Sequence, residues 1–194
     1  MFHFFAFIDR MRFIRRWGLM RSTIPESLTE HAQQTATIAH ALVLIENRRF
    51  GADLNPDRAA VLALYHDAAE TITGDLPTPV KYYSREILGG YREVEDYAKD
   101  TLLAKLPTDL QEDYSDILNG EREPEWVYVK AADTLSAYIK CIAERQAGNR
   151  EFVSAEKTLW RKLQDMPLQS LRVFEEEFLG SFGKTLDEMT EDIQ

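Results

Sequence analysis

Apolar residues recur along the chain at three- and four-residue spacing, and no run of strict apolar and polar alternation interrupts them, so the pattern is helical. Phe4, Phe7, Ile8, Met11 and Ile14 form a first stripe, which predicts an amino-terminal helix docked on the core. Gly18 and Pro25 break the segment that follows. Ser27-Leu-Thr-Glu30 reads as a capping box opening a helix to about Arg48, with Ala32, Ala36, Ala39, Val43 and Ile45 among its inward positions. Asn55-Pro56-Asp57 is a second start signal, combining a cap residue, proline in the first turn and an acid at the positive helix end. That helix carries Val61, Leu62, Leu64 and Tyr65 and is expected to end near Gly74.

Beyond it, Pro77 and Pro79 remove backbone donors and fix the chain, so 75–79 is expected to be a rigid loop. Tyr91, Val94, Ala98 and Leu102 mark another helix before Pro107. Trp126, Val129, Lys130, Asp133 and Ala137 mark one from Pro124 to about Ala147, closed by Gly148-Asn149. Shorter helices are expected at 151–164 and 168–179, and 187–192 reads as a solvated acidic tail. The expectation is an all-α domain spanning 1–194, without repeats or an interdomain linker.

Composition narrows the function. With 23 Lys+Arg against 33 Asp+Glu the net charge is −10, which argues against nucleic acid as the main partner, because such binders present basic patches. The apolar start of the chain is interrupted by Asp9, Arg10 and Arg12, unlike a secretion signal, and no segment approaches the length of a membrane span. Cys141 is the one cysteine and cannot form an internal disulfide, so a cytoplasmic location is expected.

Four histidines are present, and two have neighbours that change their meaning. In His66-Asp67-Ala-Ala-Glu70, three ionisable groups crowd little more than one helical turn. Bringing them to the edge of an apolar face costs desolvation unless they are paired or bind a cation. Taken alone, the pentapeptide is better explained by a His66–Glu70 surface ion pair. His31 lies one turn inside the capped helix, and Asp133 stands among Val129, Ala131, Ala132 and Leu135, where an acid is unexpected unless it pairs with Lys130 or Lys140. A nitrogen and oxygen set without thiolate suits Mn²⁺, Fe²⁺, Co²⁺, Mg²⁺ or Zn²⁺. His40, nine residues beyond His31, falls half a turn away on an ideal helix and is left out with His3.

The order His31, His66-Asp67, Asp133 resembles the H…HD…D signature of the HD-domain metal-dependent phosphohydrolases. Arg16-Trp17, Thr29-Glu-His31, Tyr65-His-Asp-Ala-Ala-Glu70, Gly74-Asp-Leu-Pro-Thr-Pro-Val-Lys81 and Lys130-Ala-Ala-Asp133 resemble, more narrowly, the bacterial 5′-deoxynucleotidases of the YfbR type. The resemblance implies an HD-domain helical bundle with its core at about 27–140, and a metal-dependent phosphomonoester hydrolase. His31, His66, Asp67 and Asp133 would hold one divalent ion, usually Co²⁺ or Mn²⁺, with Zn²⁺, Mg²⁺, Fe²⁺ or Cu²⁺ as alternatives. Glu70 would be the general acid/base and Arg16 would orient the phosphate. Trp17 would disfavour a 2′-hydroxyl, and Asp75, Leu76, Pro77 and Thr78 would form the substrate loop. Asp67 would also take part in catalysis and, with Asp133, meet substrate as well as metal.

The implied substrate is a deoxyribonucleoside 5′-monophosphate and the implied assembly a homodimer. Ala32 and Ala69 stand where the resemblance leads one to expect serine, so hydroxyl support for the ligands is expected to differ. Two other readings fit the same residues: an HD phosphohydrolase acting on a triphosphate or cyclic nucleotide, and a non-catalytic helical protein stabilised by its metal. Without the resemblance, Arg16 and Trp17 read as an anchor for the first helix and Asp75 as a turn residue.

Overall fold

The computed structural model describes every residue except 78–79, 81–82 and 191–194. Helices account for nearly all its regular structure, and the described residues contain no strand, only an isolated antiparallel bridge between Arg15 and Ser27. The helices are α1 (Phe4–Asp9), α2 (Leu28–Phe50), α3 (Pro56–Tyr65), α4 (Glu70–Thr73), α5 (Arg85–Leu103), α6 (Gln111–Leu118), α7 (Trp126–Gln146), α8 (Val153–Gln164), α9 (Gln169–Glu177) and α10 (Leu186–Thr190).

The three helices that matter most for the site, α2, α3 and α7, share one core. Ala36, Ala39, Leu42 and Val43 of α2 meet Ala59, Leu62 and Ala63 of α3 and Val129, Ala132 and Leu135 of α7, with Leu163 of α8 and Leu171 and Phe174 of α9 closing the far side. Alanines on the facing stripes let these backbones approach closely and keep side chains in fixed rotamers. A second cluster seats Phe4 of α1 on Ala68, Leu102, Leu106 and Leu118, and a third seats Met11 on Leu28 and Ala32. The amino-terminal stripe therefore docks as expected, across a helix that tightens to 3-10 geometry at Arg10–Phe13.

The starts follow local chemistry. Ser27 Oγ accepts from the Glu30 amide at 3.3 Å while Glu30 accepts from the Ser27 amide at 2.7 Å, the reciprocal capping box. Asn55 caps α3 by accepting from the Arg58 amide at 3.0 Å, with Pro56 following it. The long helix α2 closes on Gly51, whose φ of 75° is left-handed. Gly120 lies so close to Leu62 that a Cβ there would collide with it, which fixes the approach of this turn to α3.

One expectation is corrected. The helix from Asn55 does not run to Gly74: it ends at Tyr65, passes through a turn at 66–69 and resumes as α4. The acidic end is solvated over its described part, where 186–190 form the short exposed helix α10, residues 191–192 lying outside the described residues.

Candidate metal centre

The break at the end of α3 builds the site. His66 Nδ1 donates to the Ala63 carbonyl at 2.7 Å, the acceptor that the Asp67 amide would use in a continuing helix. The chain then tightens into bonds of three-residue span, Ala68 N–H to Tyr65 O at 2.9 Å and Glu70 N–H to Asp67 O at 3.0 Å. Adjacent residues on a regular helix point about 100° apart. Here the tightened turn brings Asp67 Oδ2 to 3.0 Å from His66 Nε2.

The capped first turn of α2 presents His31 from the opposite side, and α7 presents Asp133. His31 Nε2 lies 3.6 Å from Asp67 Oδ2 and 3.3 Å from Asp133 Oδ1, and His66 Nε2 lies 4.0 Å from Asp133 Oδ1. Donor atoms of His31, His66 and Asp133 all fall within 4.8 Å of one another, a spacing that a single ion can bridge. The histidines are buried, at 0% and 1% side-chain exposure, whereas Asp67 and Asp133 keep 24% and 20%. The cluster is thus walled by imidazoles and reached from solvent on its carboxylate side.

Hydrogen bonding fixes the tautomers. A carbonyl only accepts, so His66 carries its proton on Nδ1. Ser136 Oγ donates to Gln34 Oε1 at 2.6 Å, and that hydroxyl therefore accepts from His31 Nδ1 at 3.0 Å. Thr35 Oγ1 stands beside the same nitrogen at 3.4 Å. Both Nε2 lone pairs consequently face two carboxylates, and neither buried Nε2 has a hydrogen-bond partner. Electron-rich atoms converging without a proton between them are favourable only around a cation, and two neutral imidazoles with two carboxylates fit a divalent one.

The ionisation tendencies differ between the two histidines. Burial, with Arg16 nearby, lowers the His31 pKa below that of an ordinary histidine. Burial also opposes charge on His66, but Asp67 and then Asp133 outweigh it and raise that pKa. Burial works against the Asp133 carboxylate too, and is overcome by Lys130 and the two histidines, leaving its pKa well below the usual range. Asp67 is lowered in the same way by His66 and His31.

The other predicted residues lie as follows. Lys130 Nζ does pair with Asp133, donating to Oδ2 at 2.7 Å, while Oδ1 faces the histidines, so ion pair and cluster coexist. Lys140 does not pair with Asp133; it bonds Glu144 at 2.5 Å. Glu70 opens α4 half-buried, and Asp75, Leu76 and Pro77 follow Gly74 half-buried, whereas Thr78 lies outside the described residues. Arg16 Nη1 donates to Glu26 Oε2 at 3.1 Å and Trp17 Nε1 donates to the same oxygen at 2.8 Å. His40 stands apart with Asp57 at 3.5 Å.

Ser136, Gln34 and Thr35 escaped the sequence reading, although a helical offset of three or four residues from Asp133 and His31 was the available signal. Ala32 is buried on Met11 and Leu28, so the hydroxyl that supports His31 comes from α7 rather than from the residue beside it.

Comparison with known proteins places this geometry. A family model described as 5′-deoxynucleotidase YfbR-like matches residues 3–182. A 5′-deoxynucleotidase of Vibrio parahaemolyticus is 47% identical over 190 residues, 97% of this chain and 98% of the relative. One of Photorhabdus laumondii is 46% identical over 195 residues, 100% of this chain and 99% of the relative. Among solved structures, an HD-domain phosphohydrolase of Listeria innocua superposes with a TM-score of 0.80 at 23% identity, covering 98% of this chain and 96% of that one. A cyanophage S-2L HD phosphohydrolase, bound to dA and one catalytic Zn²⁺, has a TM-score of 0.60 at 21% identity, covering 93% and 96%.

Proposed function

The chain belongs to the YfbR-like 5′-deoxynucleotidase family, and from that membership we propose that it hydrolyses deoxyribonucleoside 5′-monophosphates to deoxynucleoside and phosphate at the cluster of His31, His66, Asp67 and Asp133. The observation that carries the site is the convergence of two buried Nε2 atoms, neither with a hydrogen-bond partner, on two carboxylates. When bound there, a divalent ion lowers the pKa of water and draws charge from phosphoryl oxygens.

The chain's own residues supply the rest. Water oxygen bonds to phosphorus as the bond to the 5′ oxygen breaks, and Glu70 moves the proton that ends on that leaving oxygen. Asp67, set against both histidines, holds the reacting end of the site and with Asp133 meets the phosphate as well as the metal. Arg16 offers a planar fork of donors to the phosphate. The Trp17 ring beside C2′ leaves an added hydroxyl crowded or unpaired, which rejects ribose. Asp75, Leu76, Pro77 and Thr78 contribute the substrate loop.

The finer reading is Co²⁺ or Mn²⁺ as activator, supported by the nitrogen and oxygen donor set. One domain spanning 1–194, with the HD core at 27–140, carries the reaction. A homodimer in the cytoplasm is its working form: Ile87, Val94 and Tyr97 leave an exposed apolar stripe on α5, and the single cysteine, Cys141, asks for no oxidising compartment. Metal content after equilibration with Co²⁺ and desalting tests the ligands. Wild-type protein should retain about one ion per chain and the His66→Ala, Asp67→Ala double variant almost none; equal content in both would remove the assignment.

A further inference from the structure

Glu26 lies directly before the capping box of α2, in a short backbone pairing with the segment that follows α1. The Leu28 amide donates to Ile14 O at 3.0 Å and the Arg16 amide to Glu26 O at 3.1 Å, so the register places residue 26 against residue 16. On the side-chain level one oxygen gathers two groups: Glu26 Oε2 accepts from Arg16 Nη1 at 3.1 Å and from Trp17 Nε1 at 2.8 Å. Both charged partners are mostly buried, at 15% and 12% side-chain exposure. The guanidinium carbon also stands 5.9 Å from the Trp17 ring centre.

Trp17 has φ 61°, the one positive value outside glycine among the described residues. For so bulky a residue the left-handed region is disfavoured, and it persists only where the surroundings over-determine it. The indole is fixed by Glu26 on one side and by Phe152, 5.2 Å away between ring centres, on the other. The Trp17 carbonyl accepts from the Met20 amide at 2.8 Å. The carboxylate of Glu26 therefore ties both side chains to the start of the helix bearing His31.

We propose that Glu26 is a positioning residue for the hydrolysis, holding the Arg16 guanidinium and the Trp17 indole in one arrangement so that phosphate orientation and sugar discrimination depend on the same carboxylate. The proposal rests on the substrate reading given above. Nη1 is committed to Glu26, which leaves the other donors of the guanidinium fork for the phosphate, and Arg16 stands near enough to His31 to act on it electrostatically. The charged acceptor keeps the guanidinium in place, and the short indole bond keeps the ring edge at the sugar. Replacing Glu26 by glutamine preserves a neutral acceptor for the indole but removes the charge; replacing it by alanine removes both.

The test compares wild type, Glu26→Gln, Glu26→Ala and Trp17→Ala by melting temperature, by kcat and KM on a deoxyribonucleoside 5′-monophosphate and its ribo counterpart, and by the indole N–H proton resonances of the metal-free protein. Glu26→Ala should lower the deoxy-to-ribo ratio of kcat/KM about tenfold, toward the Trp17→Ala value, and shift the Trp17 indole resonance. Glu26→Gln should raise KM about tenfold with a smaller change in kcat, and keep most of the sugar ratio. If alanine prevents folding, the glutamine variant decides by its KM. Wild-type ratio and KM in both folded variants, beside a Trp17→Ala that loses discrimination, would overturn the role of Glu26 alone. A wild-type protein without deoxy preference would overturn the underlying substrate reading and the Glu26 role together.

Discussion

His31 can serve as a ligand through Nε2 because its other nitrogen is spoken for. Ser136 accepts from Nδ1 and passes its own proton to Gln34 Oε1, so the lone pair stays on Nε2. Outer hydrogen bonds of this kind commonly govern metal affinity by one to two orders of magnitude. Ser136→Ala should therefore weaken Co²⁺ or Mn²⁺ binding by roughly 10–100-fold, read by calorimetric titration, with little change in melting temperature of the metal-free protein. Unchanged affinity would remove Ser136 from the support of His31. His66 needs no such side-chain partner, because the Ala63 carbonyl does the same work from within its own helix end.

At the scale of elements, the segment between α1 and α2 is held to α7 by a buried charge. Glu144 accepts from the Thr23 and Ile24 amides at 2.9 Å each, from Asn149 Nδ2 at 2.8 Å and from Lys140 at 2.5 Å. Lys140 also donates to the Ile24 carbonyl. Burial opposes this carboxylate, but Lys140, the two amides and Asn149 outweigh it and bring its pKa down to about 2 from the ordinary 4.5. A depressed folded pKa means the unfolded chain binds the proton more readily. The stabilisation is thus complete above about pH 4.5 and is lost as pH falls toward 2. Glu144→Gln should cost roughly 2 kcal/mol at pH 7, allowing for screening, and flatten the acid limb of the stability curve between those values. Urea denaturation across pH measures both, and a variant with the wild-type acid limb would contradict the assignment.

The capped starts of α2 and α3, the stop at Gly148 and the inward alanines of α2 were legible in the sequence because each depends on residues within a turn of one another. The order of the proposed metal ligands was available as a resemblance, and the structure brings His31, His66 and Asp133 within reach of one ion. The break at His66 was not, since Ala-rich sequence favours continuing the helix and the interruption arises when the His66 ring takes a backbone acceptor. Glu26 and Glu144 were equally hidden. Glu26 reaches Trp17 and Arg16, 9 and 10 residues away, and Glu144 reaches the Thr23 and Ile24 amides, 121 and 120 residues away, pairings that only the folded loop creates.

For the whole molecule, the three-helix core makes a rigid frame whose moving parts are few: α2 gives His31, the end of α3 gives His66 and Asp67, and α7 gives Asp133. A chain with net charge −10 must still receive an anionic substrate, and on the proposed function it would meet the phosphate with local positive charge, a divalent ion together with Arg16, rather than with a basic surface. Family membership and the Nε2-to-carboxylate geometry together point to hydrolysis of a small phosphomonoester. The most direct measurement is phosphate release from paired deoxyribo- and ribonucleoside 5′-monophosphates by chelator-treated protein resupplied with Co²⁺, Mn²⁺, Mg²⁺ or Zn²⁺. Release that requires the metal and favours the deoxy member of each pair is the expected result. Release indifferent to added metal, or no release from any monophosphate with any of the four ions, would contradict it.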